Sequence, residues 1–350
     1  MIWSDMYFRL GAPGRGDYDQ SAIIPEDVRT AIPPTVDLVY WEYSKEEKAD
    51  YADVIRRHRN LAGCVPVMAT GIWTCIRTWY DHKKTFKTVK PCLDACNEEK
   101  VKEVLFTLWQ DDGAYCEYDS ALAGLCWAAE LAYGGSGDEK IIKEKFRSIC
   151  SASYENYLKL SEIHYPCEET ISEVSLLWDD PLFGINWNDN DNLATGWVET
   201  AIEKYRRILL GIEPESDSSI PDEINHGVLL LEVIIKKLEF RRRLLEAYHA
   251  GDRAALANVK TATPEMCAIL KQLLLSFRKR WMLRNKPFGF EVIQLRLNSA
   301  IGRYEEIAMR LDELLSGKIS NIPELDETRC STVQYSVPRF FLLATGSLII

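Results

Sequence analysis

The first 135 residues repeat one unit, a short apolar run followed by an amphipathic stretch, and this repetition constrains the fold more than any other feature. Apolar runs at residues 2–8, 36–41, 65–70 and 103–109 read as strands, with a Gly/Pro-rich loop at 11–25 after the first. Residues 45–61, 85–99 and 120–133 carry apolar side chains at the 3.6-residue period of helices. Strands that are apolar throughout and separated by helices pair in parallel, because each crossover helix lays an apolar stripe on the sheet. Four such units at a spacing of about 35 residues amount to half of a β/α barrel, which takes about 250 residues for eight. The pattern predicts an α/β fold, the second half of a (β/α)8 TIM barrel, with a small four-stranded doubly wound sheet as the alternative. Met1 already stands inside the first apolar run, and a complete domain gains nothing from an open strand edge. A truncated reading frame is therefore expected.

Beyond residue 134 the strand signal stops. Helical periodicity runs through 139–163, 195–210, 226–249, 264–284 and 288–315, punctuated by Gly134-Gly135-Ser136-Gly137 and by the loop 213–221. The predicted organisation is a half-barrel at 1–135, an all-α C-terminal domain at 136–320 and a tail at 321–350. The segment Trp178-Asp179-Asp180-Pro181-Leu182-Phe183-Gly184 reads as a helix connection. The Asn/Asp-rich stretch after it, 186–192, lacks the glycine and the bidentate glutamate of a calcium loop and reads as a turn. Ten cysteines include no CxxC pair, which fits buried, reduced thiols in the cytoplasm better than a disulfide framework or a zinc site. A net charge of −11 repels phosphate backbones and disfavours nucleic acid as a partner. No signal peptide opens the chain, and no apolar run reaches membrane-spanning length, so no membrane partner is expected. Neither a cofactor nor a metal is expected.

In a β/α barrel, chemistry sits where strands end and the following loops begin. Those four places offer Trp3 and Asp5, then Tyr40-Trp41-Glu42-Tyr43, then Gly71-Ile72-Trp73-Thr74, then Trp109-Gln110-Asp111-Asp112-Gly113. Every end supplies a Trp, and three supply a carboxylate. Barrel layers built for stability alone favour Val, Ile and Leu. A sugar site instead wants flat aromatic faces against C–H groups and carboxylates that accept from adjacent hydroxyls. The five histidines lie away from any strand-end Ser or Cys, so no catalytic triad is indicated. His58, between Arg57 and Arg59, reads as solvated, as does the run Arg241-Arg242-Arg243. The glycines of 11–16 lack the lysine of a phosphate loop and read as a flexible connection.

These strand ends resemble the family 20 glycoside hydrolases, β-N-acetylhexosaminidases, in the bacterial single-chain type with a helical C-terminal domain. Ile2-Trp3-Ser4-Asp5-Met6-Tyr7-Phe8, residues 36–43, Gly71-Ile72-Trp73-Thr74 and residues 109–114 carry the resemblance. Asp180-Pro181-Leu182-Phe183-Gly184 and Asn285-Lys286-Pro287-Phe288-Gly289 extend it into the helical region, to about residue 315. Such enzymes remove terminal β-linked GlcNAc or GalNAc with retention. The substrate's acetamido oxygen is the nucleophile, an Asp orients it, and a neighbouring Glu protonates the leaving oxygen. The resemblance implies that Trp3 walls the acetamido pocket, that Tyr40 donates to the acetamido oxygen, and that Glu42 holds hydroxyls or the pocket edge. It further implies that Trp109 stacks on the sugar ring, that Asp111 accepts from far hydroxyls, and that Trp73 belongs to the same rim. Small glycans ending in N-acetylhexosamine are the implied partners. Gln110, Thr70 and Cys75 depart from the family pattern, standing where Gly, a second Gly and an aromatic are usual.

The family's Asp-Glu pair belongs to the strand before the one bearing Trp3. Asp222-Glu223, Asp312-Glu313 and Asp326-Glu327 all fall in or beside helical sequence. The leading expectation is thus a hexosaminidase piece that holds the sugar but lacks its proton donor. Two alternatives stand beside it. One is a carbohydrate-binding or scaffold protein. The other is a complete hydrolase whose working pair comes from Asp5, Glu42 and Asp111 or Asp112.

Overall fold

The structure, a computed structural model, describes residues 1–110, 113–166, 172–184, 196–213 and 221–326. The chain divides into two compact units, one of residues 1–75, 80–109 and 120–154, the other of 76–79, 110–119 and 155–350. Helices predominate, and one small parallel sheet stands among them.

The first unit is built on that sheet, whose strands β1 (Ile2–Trp3), β2 (Leu38–Trp41), β3 (Val67–Gly71) and β4 (Val104–Thr107) lie side by side in chain order, all parallel. Trp3 lies opposite Val39, Trp41 opposite Ala69, and Ala69 opposite Leu105. Successive side chains in a strand point to opposite faces. One face therefore carries Trp3, Val39, Trp41, Val67, Ala69, Leu105 and Thr107, and the other carries Leu38, Tyr40, Met68 and Val104. The helices of this unit are α1 (Asp5–Gly11), α2 (Glu26–Thr30), α3 (Lys48–Ala62), α4 (His82–Glu98), α5 (Leu122–Ala132) and α6 (Glu139–Cys150). The main core forms where Leu38, Tyr40 and Met68 meet Phe8 of α1, Tyr51 and Ile55 of α3, and Cys92 and Cys96 of α4. Burying each such side chain contributes roughly 1.5–3 kcal/mol. The opposite face holds a much smaller cluster, Val39, Val67 and Ala69 with Trp41 against it.

The apolar run 2–8, read as one strand, is two elements. Ser4 and Asp5 interrupt it, and Met6 to Phe8 wind into α1. His58 is not solvated either, but fully buried in α3. Glycine at position 11 has a plain reason: a Cβ there would meet the Ile23 backbone at 2.8 Å.

The second unit is helical, with α7 (Tyr154–Ser161) entering it and α8 (Glu173–Trp178), α9 (Trp197–Gly211), α10 (Asp222–His249), α11 (Arg253–Arg284), α12 (Phe290–Ser316) and α13 (Pro323–Asp326) following. The long helices α10, α11 and α12 pack along one another through Leu230, Ile234, Phe240, Leu270, Leu273, Leu297 and Tyr304, all buried. Charged side chains tie its irregular segments to these helices. Arg280 of α11 bonds both oxygens of Glu117, at 2.8 and 2.9 Å, and one of Asp119 at 2.6 Å. Lys237 donates to the Leu177 and Asp179 carbonyls, and burial pushes its ammonium down to about 8. Arg241 departs from the solvated face expected of 241–243. It is buried, with its guanidinium on the Pro181 and Leu182 carbonyls, while Arg243 is exposed. The stretch 186–192 lies outside the described residues. No helix among the described residues is long and apolar enough to cross a membrane.

Candidate functional site

The carboxyl ends of β1, β2 and β4 gather aromatic rings on one face of the sheet. Trp3 ends β1 and Trp109 follows β4, so they belong to the two outermost strands. Their ring centroids are nonetheless 6.3 Å apart. Three interstrand steps of about 4.8 Å would span roughly 14 Å in a flat sheet. Curvature of the face and the reach of the two side chains close the difference. Tyr43 stands edge-on to Trp109 at 6.4 Å and stacks on Trp41 at 5.4 Å and 21°. Both outer Trp rings keep wide access to solvent, at 41% and 43%. The result is an open aromatic wall made of Trp3, Trp41, Tyr43 and Trp109.

Polar groups fix its members. Trp41 donates its indole N–H to Asp5 Oδ1 at 3.1 Å. Burial raises the Tyr43 phenol above its ordinary range, opposed by hydrogen bonds from the side chains of Trp109 and Thr107. Glu42 folds back on the turn that follows β2, its Oε1 accepting from the N–H groups of Tyr43 and Ser44 and from the Ser44 hydroxyl, at 2.7–2.9 Å. Three donors on one oxygen make this carboxylate a brace for the Tyr43 loop.

Of the residues singled out in the sequence, Trp3, Glu42 and Trp109 sit at this wall. Tyr40 sits elsewhere. It is 1% exposed on the opposite face, packed against Tyr18 at 4.7 Å and His58 at 5.4 Å, and burial raises its phenol far above the ordinary range. Its neighbour Trp41 and the later Tyr43 are the aromatic residues of this strand end that face Trp3 and Trp109. The two-residue period of a strand carries that information: a strand aligned on Trp3 sends Trp41 and not Tyr40 to the Trp3 face. Trp73 follows β3. Its backbone is bound by Thr85 and Asp81 of the α4 start, and Lys84 Nζ lies over its ring at 5.4 Å. Asp111 and Asp112 lie outside the described residues. Among the described residues no group of three or more His, Cys, Asp or Glu is placed to hold a metal ion.

The arrangement offers flat apolar faces, an indole and a phenol, and one carboxylate with its Oε2 bound by no described residue. It can hold a ring with C–H faces and hydroxyl edges. Among the described residues, neither Asp222-Glu223, which opens α10, nor Asp312-Glu313, within α12, lies at a strand end.

Residues 164–339 match the family model described as the Glycoside Hydrolase 20C C-terminal domain. No curated protein matches the chain.

Proposed function

The chain belongs to the glycoside hydrolase 20C family, and from that premise we propose that it serves the removal of terminal β-linked N-acetylhexosamine from glycans. The observation that carries this reading is the wall of Trp3, Trp41, Tyr43 and Trp109 at the carboxyl ends of three of the four parallel strands. On this reading the strands are the second half of a (β/α)8 barrel spanning residues 1–135, with the wall facing its interior. The closeness of rings borne by the two outermost strands supports such curvature. The helical domain at 136–320 then follows it.

The sugar ring stacks on Trp109, and Trp3 walls the acetamido group. Tyr43, on the side of the sheet that Tyr40 does not face, takes the part of the phenol that donates to the acetamido oxygen. That donation stabilises charge as the oxygen attacks the anomeric carbon, in the manner of an oxyanion-hole donor. Glu42 holds the turn that aims Tyr43 and offers its second oxygen to a sugar hydroxyl. Participation by the substrate's own acetamido group gives retention at the anomeric carbon. The leaving oxygen needs a proton from a carboxylic acid, and none of the described strand ends provides an Asp-Glu pair. The chain is accordingly the sugar-holding part of the site. A reducing compartment such as the cytoplasm belongs to the same proposal, supported by ten cysteines that include no CxxC pair.

The test has two arms. N-acetylglucosamine should bind the chain by calorimetry, and Trp109→Ala should weaken that binding about tenfold, equivalent to 1.4 kcal/mol. A chromogenic N-acetylglucosaminide should show no turnover until a segment bearing the Asp-Glu strand end is supplied, and the product should then be the β anomer. Absence of sugar binding sinks the assignment. Turnover by the chain alone removes the division of labour. The missing pair also favours a second reading, a binding protein without catalysis, which predicts sugar binding and no turnover under either condition.

A further inference from the structure

The two rings that β1 and β2 contribute to the wall are gripped from beneath by a buried hydrogen-bonded chain that starts on the far side of the sheet. β1 is only two residues long and among the described strands pairs with β2 alone, so its backbone has few bonds with which to hold Trp3 still. The next residue, Ser4, is fully buried. Its N–H donates to the Val39 carbonyl at 3.0 Å. Its Oγ lies 2.8 Å from both that carbonyl and His58 Nε2, and 3.2 Å from the Tyr18 hydroxyl. His58 Nδ1 lies 2.8 Å from the Val54 carbonyl, and the Trp41 N–H donates to the Tyr18 hydroxyl at 3.3 Å.

Counting protons orders these contacts. A carbonyl only accepts, so Nδ1 carries the imidazole hydrogen and donates it to Val54, leaving Nε2 of a neutral ring as an acceptor. Ser4 has one hydroxyl proton. The Val39 carbonyl has two lone pairs and lies within reach of the same proton, but the Nε2 lone pair of the neutral ring needs a donor and Ser4 is the hydroxyl beside it, so the hydroxyl proton goes to Nε2. The Tyr18 hydroxyl then donates to Ser4 Oγ while accepting from Trp41. Donation runs one way along the chain, from Trp41 N–H through Tyr18 and Ser4 to His58, and the His58 Nδ1–H ends on α3. Burial in an apolar surround keeps His58 neutral, which this order requires.

We propose that Ser4, Tyr18 and His58 form a positioning unit that fixes Trp3 and Trp41 as parts of one surface, a role that rests on reading this wall as the sugar site. Trp41 is held at both ends from the stretch 5–18. Its backbone N–H is on Tyr18, and its indole N–H is on Asp5, one residue beyond Ser4. Trp3 is the residue immediately before the hub. No member of the unit needs to touch the ligand. It acts by setting the angle between two rings, and an aromatic sugar platform depends on that angle.

The experiment uses the full chain labelled with 5-fluorotryptophan, with the Trp3 and Trp41 fluorine resonances assigned by Trp3→Phe and Trp41→Phe. Ser4→Ala and His58→Leu should shift and broaden both resonances, with the Trp79 resonance as an unmoved internal control. His58→Gln, whose amide reaches the Nε2 position, should restore them in part. Tyr18→Phe removes a single hydroxyl and keeps the packing, so it serves if the other variants do not fold. It should move Trp41 more than Trp3. A fall in melting temperature with both resonances unmoved would overturn the proposal, because a merely structural network predicts that outcome. Titrating N-acetylglucosamine into the wild-type sample separates this proposal from the functional reading. If the sugar moves neither resonance, the sugar assignment fails while the variant spectra still decide the positioning.

Discussion

Two histidines, His58 between Arg57 and Arg59 and His226 between Asn225 and Gly227, each inside a helix, carry a measurable signature of burial. His58 is pushed down to about 4 and His226 to about 3, in both cases chiefly by burial. In the unfolded chain each takes up its proton near 6.5. Between pH 6.5 and about 4 the unfolded state therefore binds more protons than the folded one. Stability that is present above pH 6.5 is lost as the pH falls through this window. At pH 5 each histidine should have cost about 2 kcal/mol relative to neutral pH, since one unit corresponds to 1.36 kcal/mol. Urea unfolding at pH 7 and pH 5 measures the sum. His226→Leu should remove about half of the pH-dependent part, and an unchanged difference between the two pH values would refute the burial argument. The sequence does not reveal this burial, because Arg57 and Arg59 flank His58 and make the position look wet. Arg57 instead leans over the Phe8 ring and bonds the Tyr18 and Asp19 carbonyls, roofing the site that it seems to expose to water.

At the scale of elements, the order of strands and helices was legible because each had the right period, while their joints were less so. The run 2–8 is apolar enough for a strand, yet Ser4 puts its hydroxyl into the buried chain and Asp5 opens α1. Local pattern cannot foresee that trade. Pro264 reads as a helix start because proline suits the first turn. α11 begins instead at Arg253, where Asp252 Oδ1 caps the N–H groups of Ala254 and Ala255 at 3.0 Å. The proline is tolerated inside the helix because the Lys260 carbonyl, which its missing N–H would have served, accepts the Thr263 hydroxyl at 2.9 Å. Tyr40 lies on the face opposite the wall, and the alternation of the strand held that answer. The buried carboxylates Glu117 and Asp119 were invisible because their partner, Arg280, stands more than 160 positions away. Arg280→Met leaves both without that guanidinium and should cost about 3–5 kcal/mol in urea unfolding at pH 7. Lys279→Met, which loses only an exposed pair with Asp222, should cost less than about 1 kcal/mol.

For the whole molecule, the physical problem is the face that carries the wall. The helix-covered face of the sheet has a large core, whereas the wall face has three small buried residues and a rim of exposed apolar ones. Trp3, Leu105 and Trp109 are 38–43% exposed, and among the described strands β1 and β4 each have one neighbour only. Parallel edges with apolar flanks recruit other strands unless they are charged, covered or closed into a barrel. Aromatic rings that suit a sugar suit another copy of the same surface equally well. The chain should therefore self-associate as its concentration rises, and light scattering coupled to gel filtration reads this directly. Leu105→Lys places a charge on the wall face without entering the helix-side core, and it should shift the population toward monomer while leaving the helical circular dichroism unchanged. N-acetylglucosamine at saturating concentration should act in the same direction, because a sugar seated on Trp3 and Trp109 removes the surface through which copies meet. A chain that stays monomeric at high concentration and binds no apolar dye would mean that this face is covered. The wall could not then be the open sugar site proposed for it, so this one measurement bears on both the fold and the function.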